Sequence, residues 1–310
     1  MKRRSFLQKA TAGTAFIGTL GILRAKNEKS LIERTSSGPD KNNGKYPVRV
    51  AVVQQDGNPG HVKENRDKAL HYATEALEQR SDVILFHEEL LVGYVENLKE
   101  LAEPLNGPTT RAFQNLLKGT NAKVIYGLTE KEGEDYYISA PVISENGVLA
   151  NYRKTHLWWR SEGLRCEPDF YNSGNDLVTF DLKGFKCGIM ICYDGDFPEM
   201  ARSYANLGCS MLFWMNNRQS RGHEEVKLLA SHNSLIMLVS CCCGLDEQGK
   251  DCPGGSNITG AEGELIAELW DDEGIVISDV FPEYVEQLRR GNYNYRGLRP
   301  DVYYYGSQTI

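Results

Sequence analysis

Residues 187–199 read Cys187-Gly188-Ile189-Met190-Ile191-Cys192-Tyr193-Asp194-Gly195-Asp196-Phe197-Pro198-Glu199. An apolar run ending at Cys192, a short polar turn and a proline suited to a first helical position predict a strand, an elbow and a helix. A thiol at such an elbow stands proud of the sheet beside a helix N-terminus. Backbone N–H groups and partial positive charge there favour thiolate and can receive an oxyanion. Two readings stand at this point: Cys192 is a nucleophile, or it is one more buried cysteine.

Working outward, the same texture of short apolar strands and amphipathic helices fills most of the chain. Val48 to Gln54 is β-branched and predicts a buried first strand, and His61 to Arg80 carries Ala69, Leu70, Ala73, Ala76 and Leu77 at helical spacing. Val83 to Phe86, Val124 to Leu128, Tyr136 to Ile143 and Val148 to Tyr152 predict further strands, the last two joined at Asn146-Gly147. Pro108 to Lys118 suits a helix, with Gly119 behind it. Leu177 to Asp181 before the elbow and Cys209 to Trp214 beyond it predict strands, and Pro198 to Ala205 and Glu224 to Asn233 helices. Leu235 to Cys242, Leu265 to Leu269 and Gly274 to Val280 complete the strands. Alternating strands and helices with hairpin-like neighbours argue for a layered α/β fold of mixed sheets, not a purely parallel one.

Composition narrows the function. With 310 residues, 41% of them hydrophobic, the chain can bury a large core. Its net charge of −7, without a basic stripe in the body of the chain, argues against nucleic acid as a partner. None of the spacings among the eight cysteines pairs one C-x2-C with another, so no zinc site is expected, and most of them read as reduced, buried small residues.

The amino-terminal end is different in kind. Arg3-Arg4-Ser5-Phe6-Leu7 precedes a moderately apolar run from Ala10 to Leu23. Residues 1–25 therefore resemble a twin-arginine export signal, too short and too rich in Gly and Thr for a membrane span. Polar residues 26–45 read as a linker, leaving 46–310 as the folded domain. The expected location is periplasmic or otherwise outside the cytoplasm, or cytoplasmic if residues 1–25 are only a basic tail.

A nucleophilic cysteine needs a base and a holder for developing negative charge. Of the six histidines only His156 sits in a suggestive segment, Tyr152-Arg153-Lys154-Thr155-His156-Leu157, so a Cys–His pair is one option. The same segment offers Lys154 at a strand end. Glu88 ends another, in Val83-Ile84-Leu85-Phe86-His87-Glu88-Glu89-Leu90. A carboxylate to move the proton and an ammonium to hold the oxyanion make a second workable set. Taken singly, strand-end Glu and Lys are usually solvated charges.

Three segments in this order resemble the nitrilase superfamily of carbon–nitrogen hydrolases: F-x-E-x4-G-Y at Phe86 to Tyr94, Y-R-K-x-H-L at Tyr152 to Leu157, and C-Y-D-x-x-F-P-E at Cys192 to Glu199. Gly107-Pro108-Thr109-Thr110, Gly254-Gly255-Ser256 before a strand, and Arg299-Pro300-Asp301-Val302-Tyr303 are also similar to family features. The resemblance implies a four-layer α-β-β-α sandwich that forms a homodimer or higher homo-oligomer, with the tyrosine-rich tail helping at an interface. It implies Cys192 as nucleophile, Glu88 as general base, Lys154 as oxyanion holder and the Tyr193 N–H as second oxyanion donor. Glu167, seven residues before Gly174, fits a further family carboxylate that orients Lys154; Glu162 is its rival.

The implied reaction is hydrolysis of a small linear amide or N-carbamoyl amine through a thioester, without metal or organic cofactor. Tyr193-Asp194 resembles amidase and carbamoyl-hydrolase members, whereas nitrile-cleaving members tend to have Trp-Glu there. The alternatives are a nitrilase and a catalytically silent binding protein on the same scaffold. Trp158, Trp159 and Trp214 are candidates to line an aromatic pocket, Trp214 foremost, or else simply to pack. Departures from the family pattern are His87 in place of a proline, and His232 and Cys241 in place of Glu and Asn.

Overall fold

The computed structural model describes residues 47–160, 162–217, 223–291, 297 and 299. The proposed signal, the linker and the tyrosines at 293, 295 and 303–305 lie outside the described residues. In chain order the elements are β1 (Val48–Gln54), α1 (Val62–Glu78), β2 (Val83–Leu85), α2 (Leu98–Leu101), α3 (Pro108–Leu116), β3 (Lys123–Ile125), β4 (Leu128–Glu132), β5 (Asp135–Ser144) and β6 (Gly147–Arg153). There follow β7 (Thr179–Leu182), β8 (Phe185–Ile191), α4 (Pro198–Asn206), β9 (Met211–Asn216), α5 (His223–Asn233), β10 (Ile236–Cys241), β11 (Cys243–Leu245), β12 (Asp251–Thr259), β13 (Leu265–Trp270), β14 (Gly274–Val280) and α6 (Glu283–Gly291).

The strands form two seven-stranded mixed sheets. One runs β14-β1-β2-β3-β5-β4 with β6 also on β5; the other runs β11-β12-β10-β9-β8-β7 with β13 also on β12. Each contains a parallel trio, β1-β2-β3 in the first and β8-β9-β10 in the second, flanked by antiparallel strands. Helices α1 and α3 pack on the first sheet, α4 and α5 on the second, and the sheets face each other. This is the α-β-β-α sandwich. Strands sandwiched between a helix layer and a second sheet have no solvent face, so they read as unbroken apolar runs. Thus Val50 to Gln54 and all of β9 are buried.

Polar side chains tie the sheets together. The Ser240 hydroxyl donates to the Val53 carbonyl at 2.6 Å, and the Gln54 amide oxygen accepts from the Gly255 and Ser256 N–H groups at 3.0 Å each. A Cβ at Gly254, whose φ is +70°, would overlap the Gln54 amide. That explains one correction: Gly254-Gly255-Ser256 lies inside β12, not before a strand. Gly254 makes room there for a side chain of the opposite sheet.

A second correction concerns the strand expected from Val124 to Leu128. It is broken, with β3 ending at Ile125 and β4 starting at Leu128. At Gly127 the chain passes so close to the His87–Glu89 backbone that a Cβ would overlap it, and its N–H donates to the His87 carbonyl at 3.1 Å. Helices α2 and α6 lie where the sequence reading places none, although α6 carries a helix signal, with Glu283 and Glu286 in its first turn and Arg289 and Arg290 in its last.

Candidate active site

The parallel trios direct the carboxyl ends of their strands, and the loops that follow, to a common region. Glu88 follows β2, Lys154 follows β6, Cys192 follows β8 and Asn217 follows β9. Lys154 is the centre of the group. Its ammonium donates to Glu88 Oε1 at 2.7 Å and to Glu167 Oε1 at 2.8 Å, with the side chains of Lys154 and Glu88 wholly buried. Burial by itself would strip the proton from such a lysine. The Glu167 and Glu88 carboxylates outweigh it, with a smaller contribution from Cys192, and hold the ammonium well above its ordinary range.

Each carboxylate has a second donor. The Asn217 backbone N–H donates to Glu88 Oε2 at 2.9 Å. Glu167 accepts the Tyr94 hydroxyl at 2.7 Å on Oε1 and the Trp158 N–H at 2.7 Å on Oε2. Burial pushes the Glu167 carboxyl up, Lys154 pulls it down, and the net direction is upward. Glu162, its rival in the sequence, is exposed. The glycine seven residues after Glu167 has its own cause. Gly174 donates to the Lys154 carbonyl at 2.8 Å, and a Cβ there would overlap the Arg153 carbonyl.

Cys192 sits at the end of β8 with φ +45°, in the left-handed region that non-glycine residues rarely occupy, and it opens a 3-10 turn over Cys192–Asp196. Strain of this kind persists where surroundings over-determine it, and here Asp194 does so. Asp194 is buried and accepts Ile191 N–H at 2.9 Å and Tyr152 O–H at 2.7 Å on Oδ2. On Oδ1 it takes the Thr155 hydroxyl at 3.0 Å, the His156 N–H at 3.0 Å and His156 Nδ1 at 2.9 Å. The Cys192 turn and the segment after β6 are therefore fastened to one carboxylate.

Trp214 lies under the turn. It is 1% exposed and donates Nε1–H to the Cys192 carbonyl at 3.1 Å, and a Cβ at Gly195 would overlap its ring. Tyr193 is nearly buried, its ring edge-on to Trp158 at 5.0 Å and to Phe197 at 5.1 Å, while Trp159 is exposed. His156 stacks on Phe197 at 3.9 Å and spends Nδ1 on Asp194. Thus the geometry brings Glu88, Lys154 and Glu167 into direct contact around Lys154. Trp214 sits beneath Cys192.

Sequence reasoning missed four participants. Tyr94 and Asp194 stand within motifs that signal the family and the substrate class but do not by themselves point to these contacts. Asn217 and Trp158 act here through backbone N–H groups, which leave no side-chain signature. Among the described residues no group of three or more His, Cys, Asp or Glu side chains is placed to hold a metal ion, and no helix is long and apolar enough to cross a membrane. Among the described residues, which include all eight cysteines, no two cysteines are joined by a disulfide.

Comparison with known proteins gives the class. The carbon–nitrogen hydrolase family model matches residues 49–290. A probable nitrilase of Schizosaccharomyces pombe is 31% identical over 271 residues, covering 83% of this chain and 97% of the relative. An (R)-stereoselective amidase of a Pseudomonas species is 26% identical over 254 residues, covering 80% and 90%. An N-carbamoylputrescine amidase of Solanum tuberosum is 29% identical over 258 residues, covering 74% and 85%. In fold the chain matches the crystal structure of a CN-hydrolase superfamily protein of Xanthomonas campestris with a TM-score of 0.75 at 19% identity, over 82% of this chain and 98% of that one. The chain belongs to the carbon–nitrogen hydrolase family, the nitrilase superfamily, and is a hydrolase acting on C–N bonds.

Proposed function

We propose that the chain hydrolyses a linear amide or an N-carbamoyl amine through a thioester on Cys192. The observation that carries this reading is the buried Lys154 ammonium held between Glu88 and Glu167. A lysine kept charged out of water is a ready partner for an oxyanion. The two carboxylates beside it differ in role: Glu88 moves protons, and Glu167 with Tyr94 and Trp158 orients Lys154.

The course is as follows. Glu88 takes the Cys192 thiol proton as the sulfur attacks the carbonyl carbon. The tetrahedral oxyanion is held by Lys154 and by the Tyr193 N–H, which lies in the first turn of the 3-10 segment, where intrahelical acceptors are lacking. The C–N bond breaks as Glu88 passes its proton to the departing nitrogen, leaving the acyl group on sulfur. Water then gives a proton to Glu88, attacks the thioester, and the proton returns to sulfur as the acid leaves.

Tyr193-Asp194 after the nucleophile and the amidase and carbamoyl-amidase relatives support amide over nitrile. The probable nitrilase of S. pombe supports nitrile hydrolysis as the second reading. Ammonia release from a panel of linear amides, carbamoyl amines and nitriles separates them: amides or carbamoyl amines turned over faster than nitriles uphold the proposal, and the reverse order replaces it. No release from any of the three, with Cys192 inert to mild electrophiles, would favour a silent binding protein. Export by residues 1–25 belongs to the same proposal, and a secreted product that still begins at Met1 would reject it. Self-association is also proposed, on family resemblance, and a monomer by sedimentation at micromolar concentration would reject it.

A further inference from the structure

Arg165 ends a 3-10 turn over Gly163–Arg165, two residues ahead of Glu167. Its guanidinium makes contacts on three sides. Nε donates to Glu247 Oε1 at 2.6 Å and Nη2 to Glu247 Oε2 at 3.1 Å, a two-pronged pair, with Asp246 Oδ2 at 3.7 Å. Nη1 donates to the Asn217 carbonyl at 3.4 Å. The guanidinium carbon lies 4.7 Å from the centre of the Tyr94 ring.

Two of these neighbours are themselves donors to the site carboxylates: Tyr94 to Glu167 and the Asn217 N–H to Glu88. The third, Glu247, stands in the connection between β11 and β12, whose turn is closed by Asp246 accepting the Gln248 and Lys250 N–H groups. Arg165 and Glu247 are only 15% and 9% exposed, so water competes weakly for the pair. A planar fork gripping a carboxylate with two prongs sets the orientation of the whole group, which a lysine cannot do. A cation over a phenol ring also draws charge from it, which strengthens the hydroxyl as a donor.

We propose that Arg165, anchored on Glu247, is a positioning residue that aims the two carboxylates beside Lys154 by holding Tyr94 and Asn217 in place. The proposal rests on the reading that Glu88 and Glu167 serve the reaction at Cys192. It gives Arg165 no contact with substrate: its charge is spent on Glu247 and Asp246.

The test compares Arg165→Met, Arg165→Lys and Glu247→Gln in the full chain. The readouts are thermal stability, kcat and KM on an uncharged amide, and the pH profile of iodoacetamide alkylation of the peptide carrying Cys192. A carboxylate that loses a donor keeps its proton to higher pH, and a misaimed base transfers protons slowly. Arg165→Met is expected to lower kcat and the alkylation rate by about tenfold or more. It should move the acid limb of the profile upward while leaving KM within about twofold. Arg165→Lys and Glu247→Gln should fall between that variant and the parent.

A folded Arg165→Met protein with the parent's alkylation profile overturns the proposal. A rise in KM alone also overturns it, by making Arg165 a substrate ligand. If Arg165→Met does not fold, Glu247→Gln decides, since it keeps the arginine and frees its anchor: an unchanged profile overturns the proposal. Alkylation needs no substrate, so a failure of the proposed reaction, seen as no turnover by the parent, stays distinct from a failure of this inference.

Discussion

The Tyr152 hydroxyl donates to Asp194 Oδ2 at 2.7 Å, and this contact joins the end of the strand that precedes Lys154 to the turn that carries Cys192. The same carboxylate takes Ile191, Thr155 and His156 as further donors. The relative placement of Cys192 and the Lys154 ammonium thus depends on a residue assigned no proton to carry.

Replacing Asp194 with Ala leaves buried donors without an acceptor, each costing about 1–3 kcal/mol. Denaturant unfolding of that variant should show a loss of about 3 kcal/mol or more. Asp194→Asn keeps the volume but substitutes an amide for one acceptor oxygen. It should stay folded and acylate Cys192 about tenfold or more slowly. Parent-like acylation by Asp194→Asn would show that the turn holds its shape without the carboxylate's charge.

Gly195 lies against Trp214 with no space for a methyl group. Gly195→Ala should cost about 1–3 kcal/mol, the usual range for overpacking, and reduce turnover as the Cys192 turn is displaced. Trimming the neighbour in Gly195→Ala/Trp214→Phe should recover part of both. A double-mutant cycle measures this, and strict additivity would deny the contact.

Two buried groups beside Glu88 give the folded state opposite responses to pH. Burial pushes the Glu89 carboxyl up to about 8, opposed by the Thr129 hydroxyl bond. The folded chain then keeps a proton that the unfolded chain has lost, so stability falls as pH rises from the ordinary carboxyl range through about 8. Burial also pushes His87 down to about 4, so the folded chain resists a proton the unfolded chain accepts. Stability from that source is present above the ordinary histidine range and is lost as pH falls through about 4. Melting temperature against pH should therefore lose, in Glu89→Gln, a downward slope between the ordinary carboxyl range and about 8, and in His87→Asn an upward slope between about 4 and the ordinary histidine range. Unchanged slopes would mean that neither group is held in the state described.

Lys154 balances two carboxylates out of water, so its removal is expected to do more than slow the chemistry. Lys154→Ala should lower turnover by about 10²–10³, the usual effect of losing an oxyanion donor. It should also destabilise the fold by about 3–5 kcal/mol, because the Glu88 and Glu167 charges lose their counter-ion. Lys154→Ala/Glu167→Gln removes one stranded charge and should regain stability without regaining activity. Unfolding midpoints and initial rates on the same samples separate the two effects.

Much of the sandwich was legible because its inner strands have little or no solvent face, as in Val48 to Gln54, which reads as a strand over the observed bounds; the edge strand Gly274 to Val280 is legible from its β-branched residues instead. The cysteine elbow was legible because Pro198 marks the helix start and Cys192 ends the apolar run. The β12 strand was not, since Gly254 in it serves a side chain of the other sheet, and long-range contact leaves no local pattern. The break at Gly127 has the same cause. In the site, Glu88, Lys154 and Glu167 were named from ordered motifs, and composition alone would have left them as ordinary surface charges. Asn217 and Trp158 contribute only main-chain N–H groups, which any residue type supplies.

The central claim is that the acyl group of the substrate passes through the Cys192 sulfur. Acid-quenching the enzyme during steady turnover of an amide, followed by peptide mapping, measures this directly. The expected result is a mass increase equal to the acyl group on the peptide containing Cys192, removed by hydroxylamine, with no ammonia released by Cys192→Ala. Ammonia release at the parent's rate by Cys192→Ala, with no adduct on any cysteine, would contradict the account.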